Sequence, residues 1–120
     1  MLLRILSHYA DIVRDIQVER FRIVGTSYEL RVAVFLRDGS KLYAKDYLYQ
    51  NGSRKYAYHW RTKNGQDVGR WDNSPHWPNL KTFPHHFHNA QSNSVESSNI
   101  RNLDSVLDYI RKQLAMNPRP

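Results

Sequence analysis

The stretch YAYHWRTKNGQDVGRWD, residues 56–72, decides how this chain is expected to fold. Aromatic residues alternate with other residues before Asn64-Gly65, and a run with Val68 and Trp71 follows it. Asn-Gly is a pair that supplies the positive φ angles of a two-residue hairpin turn. Such a turn determines which residues face each other across the two strands. The expected pairs are Arg61 with Val68, Trp60 with Gly69, His59 with Arg70, and Tyr58 with Trp71.

Two more turn signals of the same kind lie upstream. Asp38-Gly39 and Asn51-Gly52 separate runs rich in Val, Tyr and Phe, and the segment 25–27 can turn an earlier run back onto the next. The pattern predicts a five-stranded antiparallel meander in which consecutive strands are neighbours. Its strands are expected at Gln17–Val24, Tyr28–Arg37, Ser40–Gln50, Ser53–Thr62 and Gln66–Asp72.

The turns also predict which side chains share a face, because opposed residues lie on one side and neighbours in sequence alternate. On this counting, Tyr43 is opposite Val34 and Tyr47 is opposite Tyr56. The apolar face, expected to form the core, collects Phe21, Ile23, Leu30, Val32, Val34, Leu36, Tyr43, Tyr47, Tyr56, Tyr58, Trp60 and Trp71. The other face collects Arg31, Asp46, His59, Arg61, Arg70 and Asp72, with Ala33, Phe35, Leu42 and Leu48 beside them.

Two helical patterns can cover the apolar face. Asn102 is a good N-cap with Asp104 in the first turn behind it, and apolar residues then recur at helical spacing to Leu114. A shorter helix is expected over about residues 2–10. The fold class is therefore α+β, an antiparallel sheet with a C-terminal helix and a short N-terminal helix on one face. We expect a single domain, 1–120, divided into a helix and lead-in (1–16), the sheet (17–72), a His/Pro/aromatic loop and connector (73–101) and the helix 102–116.

The composition indicates the class of partner. Eighteen Lys and Arg against eleven Asp and Glu give a formal net charge of +7 and a pI near 9.9, a surface that attracts phosphates and favours nucleic acid. The alternative is a domain that is merely basic. The chain has no cysteine, which excludes disulfides and thiolate metal ligands and suits a cytoplasmic location. No apolar run is long enough for a membrane span, and the start lacks a signal-peptide cleavage site.

The first candidate site lies where the last strand meets the following loop. His59 is predicted on the polar face opposite Arg70, and an imidazole there can act as general acid or base in phosphodiester cleavage. Arg61 and Arg70 can hold the phosphate and stabilise charge on it. Asp72 is expected to orient an imidazole, and the loop after it to bring His76 within reach of His59. The alternative is an ordinary cross-strand polar cluster.

The second candidate cluster is the run of imidazoles at 85–88. His85 or His86 can replace His76 in the predicted site. These two with His88 also allow a metal site, together with Asp72, but structural zinc sites use more regular spacing and usually cysteine. We therefore expect neither a metal nor another cofactor. Further alternatives are that these rings stack on nucleobases or contact phosphates, or that the neighbouring Phe83 and Phe87 simply pack into the core.

The hairpin 54–70 is the most basic piece of the chain. Its cations are expected to contact phosphates, whereas its aromatic residues should point to the core and so are not stacking platforms. The predicted phosphate contacts are Lys55, Arg61, Lys63 and Arg70.

Three runs in this order, YHW at 58–60, RWDNSPH at 70–76 and TFPHHFH at 82–88, resemble the TumE-like toxins of bacterial and archaeal toxin–antitoxin modules. The likeness covers nearly the whole chain, although Trp77 stands where another polar residue is expected. The resemblance implies a small toxin that acts on RNA and a helix-turn-helix antitoxin as partner; it assigns no catalytic residues. From the residues, we predict a metal-independent ribonuclease, with a non-enzymatic nucleic-acid-binding module or an interaction domain as alternatives.

Overall fold

A computed structural model describes residues 2–116 and shows two helices and an antiparallel sheet, which confirms the α+β class. The strands follow one another across the sheet in sequence order. None of the described helices is long and apolar enough to cross a membrane. The elements are α1 (Leu2–His8), β1 (Val13–Val24), β2 (Ser27–Leu36), β3 (Lys41–Leu48), β4 (Arg54–Arg61), β5 (Asp67–Asp72), β6 (His86–Asn89), β7 (Ser94–Ser97) and α2 (Leu103–Met116).

The sheet has seven strands among the described residues, so the prediction of five was wrong. β6 and β7 form a hairpin inside the segment that was expected to be loop and connector, and Asn93, with a φ of 51°, lies in their turn. β6 adds to the free edge of β5, where Phe87 pairs with Trp71 and stacks on its ring. A strand of four residues is too short to show a periodic pattern in the sequence. β6 forms because its backbone can pair with the exposed edge of β5.

The three glycine turns have one more residue than predicted. In each, only the glycine has a positive φ: Gly39 (91°), Gly52 (85°) and Gly65 (83°). In the first turn, Leu36 N donates to Ser40 O and Gly39 N to Leu36 O, which is a three-residue loop ending in a glycine bulge. The other two turns make the equivalent bonds.

The extra residue moves two registers by one position and turns β3 over. Val34 pairs with Leu42 instead of Tyr43, and Asp46 pairs with Tyr56. Leu42 therefore lies in the core, whereas the predicted core residues Tyr43 and Tyr47 lie on the opposite side. We call the side covered by the helices the core face and the opposite side the outer face.

The register between β4 and β5 matches the prediction for a different reason. His59 pairs with Arg70, as expected, but Arg61 pairs with Asp67 and not with Val68. A bulge at Val68 cancels the offset of the three-residue turn, so the pairs farther along the hairpin return to the predicted register.

The core lies between the sheet and the two helices. Trp60 and Trp71 are 3% and 0% exposed, and Val106, Leu107 and Ile110 of α2 are buried against the sheet, as the helical spacing predicted. The last eight residues of β1 remain exposed. Phe21 and Ile23, predicted in the core, are each 63% exposed because the described helices leave this part of the sheet uncovered.

Candidate functional site

Three strands bring two imidazoles and a guanidinium into one row on the outer face. His59 of β4 is paired with Arg70 of β5, and Arg70 is paired with His88 of β6. We call these three residues the outer-face row. The sequence predicted the first pair. It did not predict that His88 lies beside Arg70, because that position depends on β6 joining the sheet.

Asp67 holds the His59 ring. His59 Nε2 lies 2.8 Å from Asp67 Oδ1, and Arg61 Nε donates to the same oxygen at 3.2 Å. The hydrogen bond with His59 lowers the pKa of the Asp67 carboxyl below its ordinary value of 3.8. Sequence reasoning missed Asp67 because the bulge at Val68 is what turns this side chain to the outer face.

Asp72, predicted to orient an imidazole, lies between Arg70 and the His86 ring. Asp72 Oδ2 accepts from Arg70 Nε at 3.0 Å, and Asp72 Oδ1 lies 3.0 Å from His86 Nε2. His86 Nδ1 lies 3.0 Å from Pro84 O, so both ring nitrogens have a polar partner. Asp72 and His86 are 7% and 4% exposed. This buried pair attaches the 73–85 segment to the sheet and steadies Arg70.

His76 and His85 lie apart from the outer-face row. His76 is exposed, and its side chain makes no hydrogen bond within residues 2–116. His85 Nδ1 lies 2.8 Å from the Tyr56 hydroxyl, and the two rings are stacked. Among the described residues, no hydrogen bond or ring contact joins either histidine to His59.

The environment of His85 is that of a half-buried neutral ring. Burial lowers the pKa of His85 below its ordinary value of 6.5, and the nearby charges of Arg101 and Arg54 lower it further. Arg54 is held by a two-pronged ion pair with Asp46, at 2.8 and 2.9 Å. This arrangement stabilises the uncharged imidazole on the core side, away from the outer-face row.

Two hollows lie on either side of the outer-face row. One, of about 160 Å³, is lined by all three residues of the row with Asp67, Gly69 and Ala90. The other, of about 320 Å³, is lined by His59 and Arg70 together with Tyr43, Lys45 and Arg31, among other residues. A phosphodiester backbone that crosses the sheet here would meet cations on both sides of His59.

The predicted phosphate contacts are only partly gathered in this region. Lys55, Arg61 and Arg70 lie on the outer face of the β4–β5 hairpin, whereas Lys63 lies in its turn against Gly39. The structure adds cations from β2 and β3 that the sequence analysis did not select: Arg31, Lys41 and Lys45. Arg31 was already predicted on this face, whereas Lys41 and Lys45 lie on it because of the corrected register of β3.

The outer face also has accessible aromatic rings, contrary to the assignment of Tyr43 and Tyr47 to the core. Tyr43 is 39% exposed and is paired with His59. The Tyr47 hydroxyl accepts from Arg31 Nε at 2.5 Å, and Lys45 Nζ lies 5.0 Å from the centre of the Tyr47 ring. Rings among cations are the combination that binds single-stranded nucleic acid.

The histidines at 85–88 do not converge on one point. His85 lies on the core side and His86 and His88 on the outer face, and both nitrogens of His86 already have partners. Within the part of the chain that the structure describes, no three His, Cys, Asp or Glu side chains are arranged to hold a metal ion. The geometry therefore gives the metal alternative no support.

A match to a protein-family model identifies the family of this chain. Comparison with curated proteins and with solved structures finds no match. A family model described as Toxin TumE matches residues 2–114, a range that contains every strand of the sheet and the outer-face row. The match confirms the resemblance seen in the sequence, and the chain belongs to the TumE family of toxins.

Proposed function

We propose that this toxin binds RNA on its outer face and cleaves it at the outer-face row. The observation that supports the proposal is the row itself, two imidazoles on either side of a guanidinium on rigid neighbouring strands. Strands of a sheet are about 4.8 Å apart, so β4 and β6 are separated by about 10 Å. That separation leaves room for a phosphate on Arg70 between the two rings.

The chemistry needs one imidazole as base and the other as acid. When His59 donates Nε2–H to Asp67, its Nδ1 is left to accept a proton. His59 then removes the 2′-hydroxyl proton, and the 2′-oxygen attacks the adjacent phosphorus. The bond from phosphorus to the 5′-oxygen breaks as His88 donates a proton to that oxygen. The products are a 2′,3′-cyclic phosphate and a 5′-hydroxyl.

The other charged groups bind the phosphate or hold His59 and Arg70 in position. Arg70 binds the phosphate oxygens and stabilises the charge that develops on them. Asp67 orients His59, while Asp72 and His86 position Arg70. Neither His76 nor His85 has a step in this mechanism, and the role of His76 as acid or base beside His59 stays a prediction.

The test compares histidine variants in an RNA cleavage assay. Loss of an acid or base typically slows such a reaction by about 10²–10⁴-fold, so we expect this loss for His59→Ala and His88→Ala. His8→Ala on α1 is the matched control and should retain full activity. The expected 2′,3′-cyclic phosphate ends should form in EDTA. Full activity of both row variants would refute the site, and loss of cleavage in EDTA would replace it with a metal-dependent one.

A non-enzymatic RNA-binding toxin is the second candidate. The exposed Tyr43 and the cation–ring contacts around Tyr47 favour it, because they can bind RNA without cleaving it. Salt-dependent binding fits both candidates and does not distinguish them. Binding by the wild-type protein that leaves a labelled RNA intact would favour this second function.

Membership of a toxin family implies an antitoxin partner. We propose that an acidic or apolar segment of the antitoxin, a helix-turn-helix protein, covers the outer face and blocks RNA. Expressing the toxin alone and with a neighbouring gene, and following growth and RNA integrity, tests this pairing. RNA degradation that continues when both proteins are present would count against it.

A further inference from the structure

A cavity of about 390 Å³ opens between the sheet and the C-terminal half of α2. It lies on the core face, near the ends of β5 and β6, so it is separate from the two hollows of the outer face. Its volume falls in the range of about 300–1,000 Å³ that is typical of small-molecule sites. The outer-face mechanism makes no use of it.

Aromatic side chains form the inner wall of this cavity. Trp60 of β4, Phe87 of β6 and Tyr109 of α2 line it. Phe87 and Tyr109 also contact each other, with ring centres 5.7 Å apart. Because each ring belongs to a different element of the packed core, the wall is pre-formed and does not need a ligand to assemble it.

Uncommitted amide groups form the outer rim. Gln66, Gln91 and Gln113 line the cavity from the β4–β5 turn, the β6–β7 turn and α2. Within residues 2–116 their side chains make no hydrogen bonds to protein groups. Each amide offers two donors and one acceptor carbonyl. Aromatic surface with hydrogen-bonding groups around it is the chemistry that recognises an unstacked nucleobase.

The cavity adjoins the candidate active site. Asp67 and Ala90 line both the cavity and the smaller hollow that contains the outer-face row. Asp67 begins β5, and Ala90 follows the last residue of β6. A single RNA strand can therefore pass around the ends of these two strands, with a phosphate on the outer face and a base on the core face.

We propose that this cavity binds the nucleobase next to the phosphate on Arg70 and so determines which base the toxin prefers. The biological role of this cavity rests on the proposed ribonuclease function, whereas binding of a nucleobase in it does not. The ligand class is a nucleobase carried by a single-stranded RNA or by a free nucleotide.

The test uses free nucleotides, so that it does not depend on cleavage. The 120-residue chain is titrated with adenosine, guanosine, cytidine and uridine 5′-monophosphates, and the Trp60 indole and glutamine side-chain signals are followed by NMR. One base should shift these signals more than the others. The variant Gln66→Leu/Gln113→Leu should weaken binding of that base by about tenfold, since it removes two hydrogen bonds. Gln50→Leu, in the exposed β3–β4 turn, should bind it as the wild type does.

The outcomes separate this proposal from the proposed function. If none of the four nucleotides shifts the Trp60 signal, or if the double variant binds as tightly as the wild type, the cavity proposal is wrong even if RNA is cleaved. If base-selective binding is present and is lost in the double variant while RNA stays intact, the cavity proposal holds and the ribonuclease is refuted. Unchanged thermal unfolding of the double variant shows that lost binding is not lost folding.

Discussion

The two faces of the β4–β5 hairpin differ sharply although they alternate residue by residue. Trp60 and Trp71 are buried under the helices, while His59 and Arg70, their neighbours in sequence, lie on the outer face. The core-face residues therefore stabilise the fold, and the outer-face residues are available to contact a ligand. The core-face residues also determine where the outer-face residues lie, because packing of the tryptophans holds the two strands in register.

The largest expected effect is loss of stability on the core face. Trp71→Ala removes a fully buried ring that stacks on Phe87 and meets Tyr109 edge to face. Such changes typically cost about 3–5 kcal/mol. We expect this loss in the free energy of unfolding, measured with denaturant.

Arg70→Ala is the matched control on the same strand. Its side chain is 48% exposed and donates one hydrogen bond to the buried Asp72. We expect a loss of about 1–2 kcal/mol in the free energy of unfolding, smaller than that of Trp71→Ala, while RNA cleavage is lost. Equal loss of stability in the two variants would mean that the faces are not functionally distinct.

The buried Asp72 carboxylate tests whether a polar group of the outer face also carries stability. Asp72→Asn keeps the shape of the side chain but removes the charge that faces both Arg70 and His86. Hydrogen bonds to charged groups contribute about 1.5–3 kcal/mol, and we expect a loss in this range by denaturant unfolding. Asp67→Asn, at an exposed carboxylate, should leave stability almost unchanged while slowing cleavage. An Asp72→Asn protein as stable as the wild type would contradict a structural role for the pair.

The smallest expected effect is a pH dependence that arises from His85. Because its pKa is lower in the folded chain than its ordinary 6.5, the unfolded chain binds a proton first as the pH falls. Stability should therefore decrease as the pH falls below 6.5 and level off below the folded pKa. His85→Gln should remove this part of the slope when thermal unfolding is measured from about pH 8 to about pH 5. Identical slopes for wild type and variant would show that His85 is not the group responsible.

Much of the architecture is visible in the sequence where a pattern is long or strongly marked. The three glycine turns lie where predicted, and α2 buries the residues that recur at helical spacing. The pairing of His59 with Arg70 is correct only because the bulge at Val68 offsets the longer turn. A dipeptide such as Asn-Gly predicts where a turn lies but not how many residues its loop has. One additional loop residue moves every side chain of the following strand to the opposite face of the sheet.

The candidate site shows the same division between local pattern and tertiary contact. The sequence by itself determined the alternation of side chains along β4 and along β5, whereas the bulge at Val68 brings His59 and Arg70 opposite each other on one face. Tertiary structure decided that His88 is beside Arg70, since the four residues of β6 form a strand only on the edge of β5. It also decided that Asp67 orients His59, because a bulge depends on how a strand fits its neighbours and not on local preference.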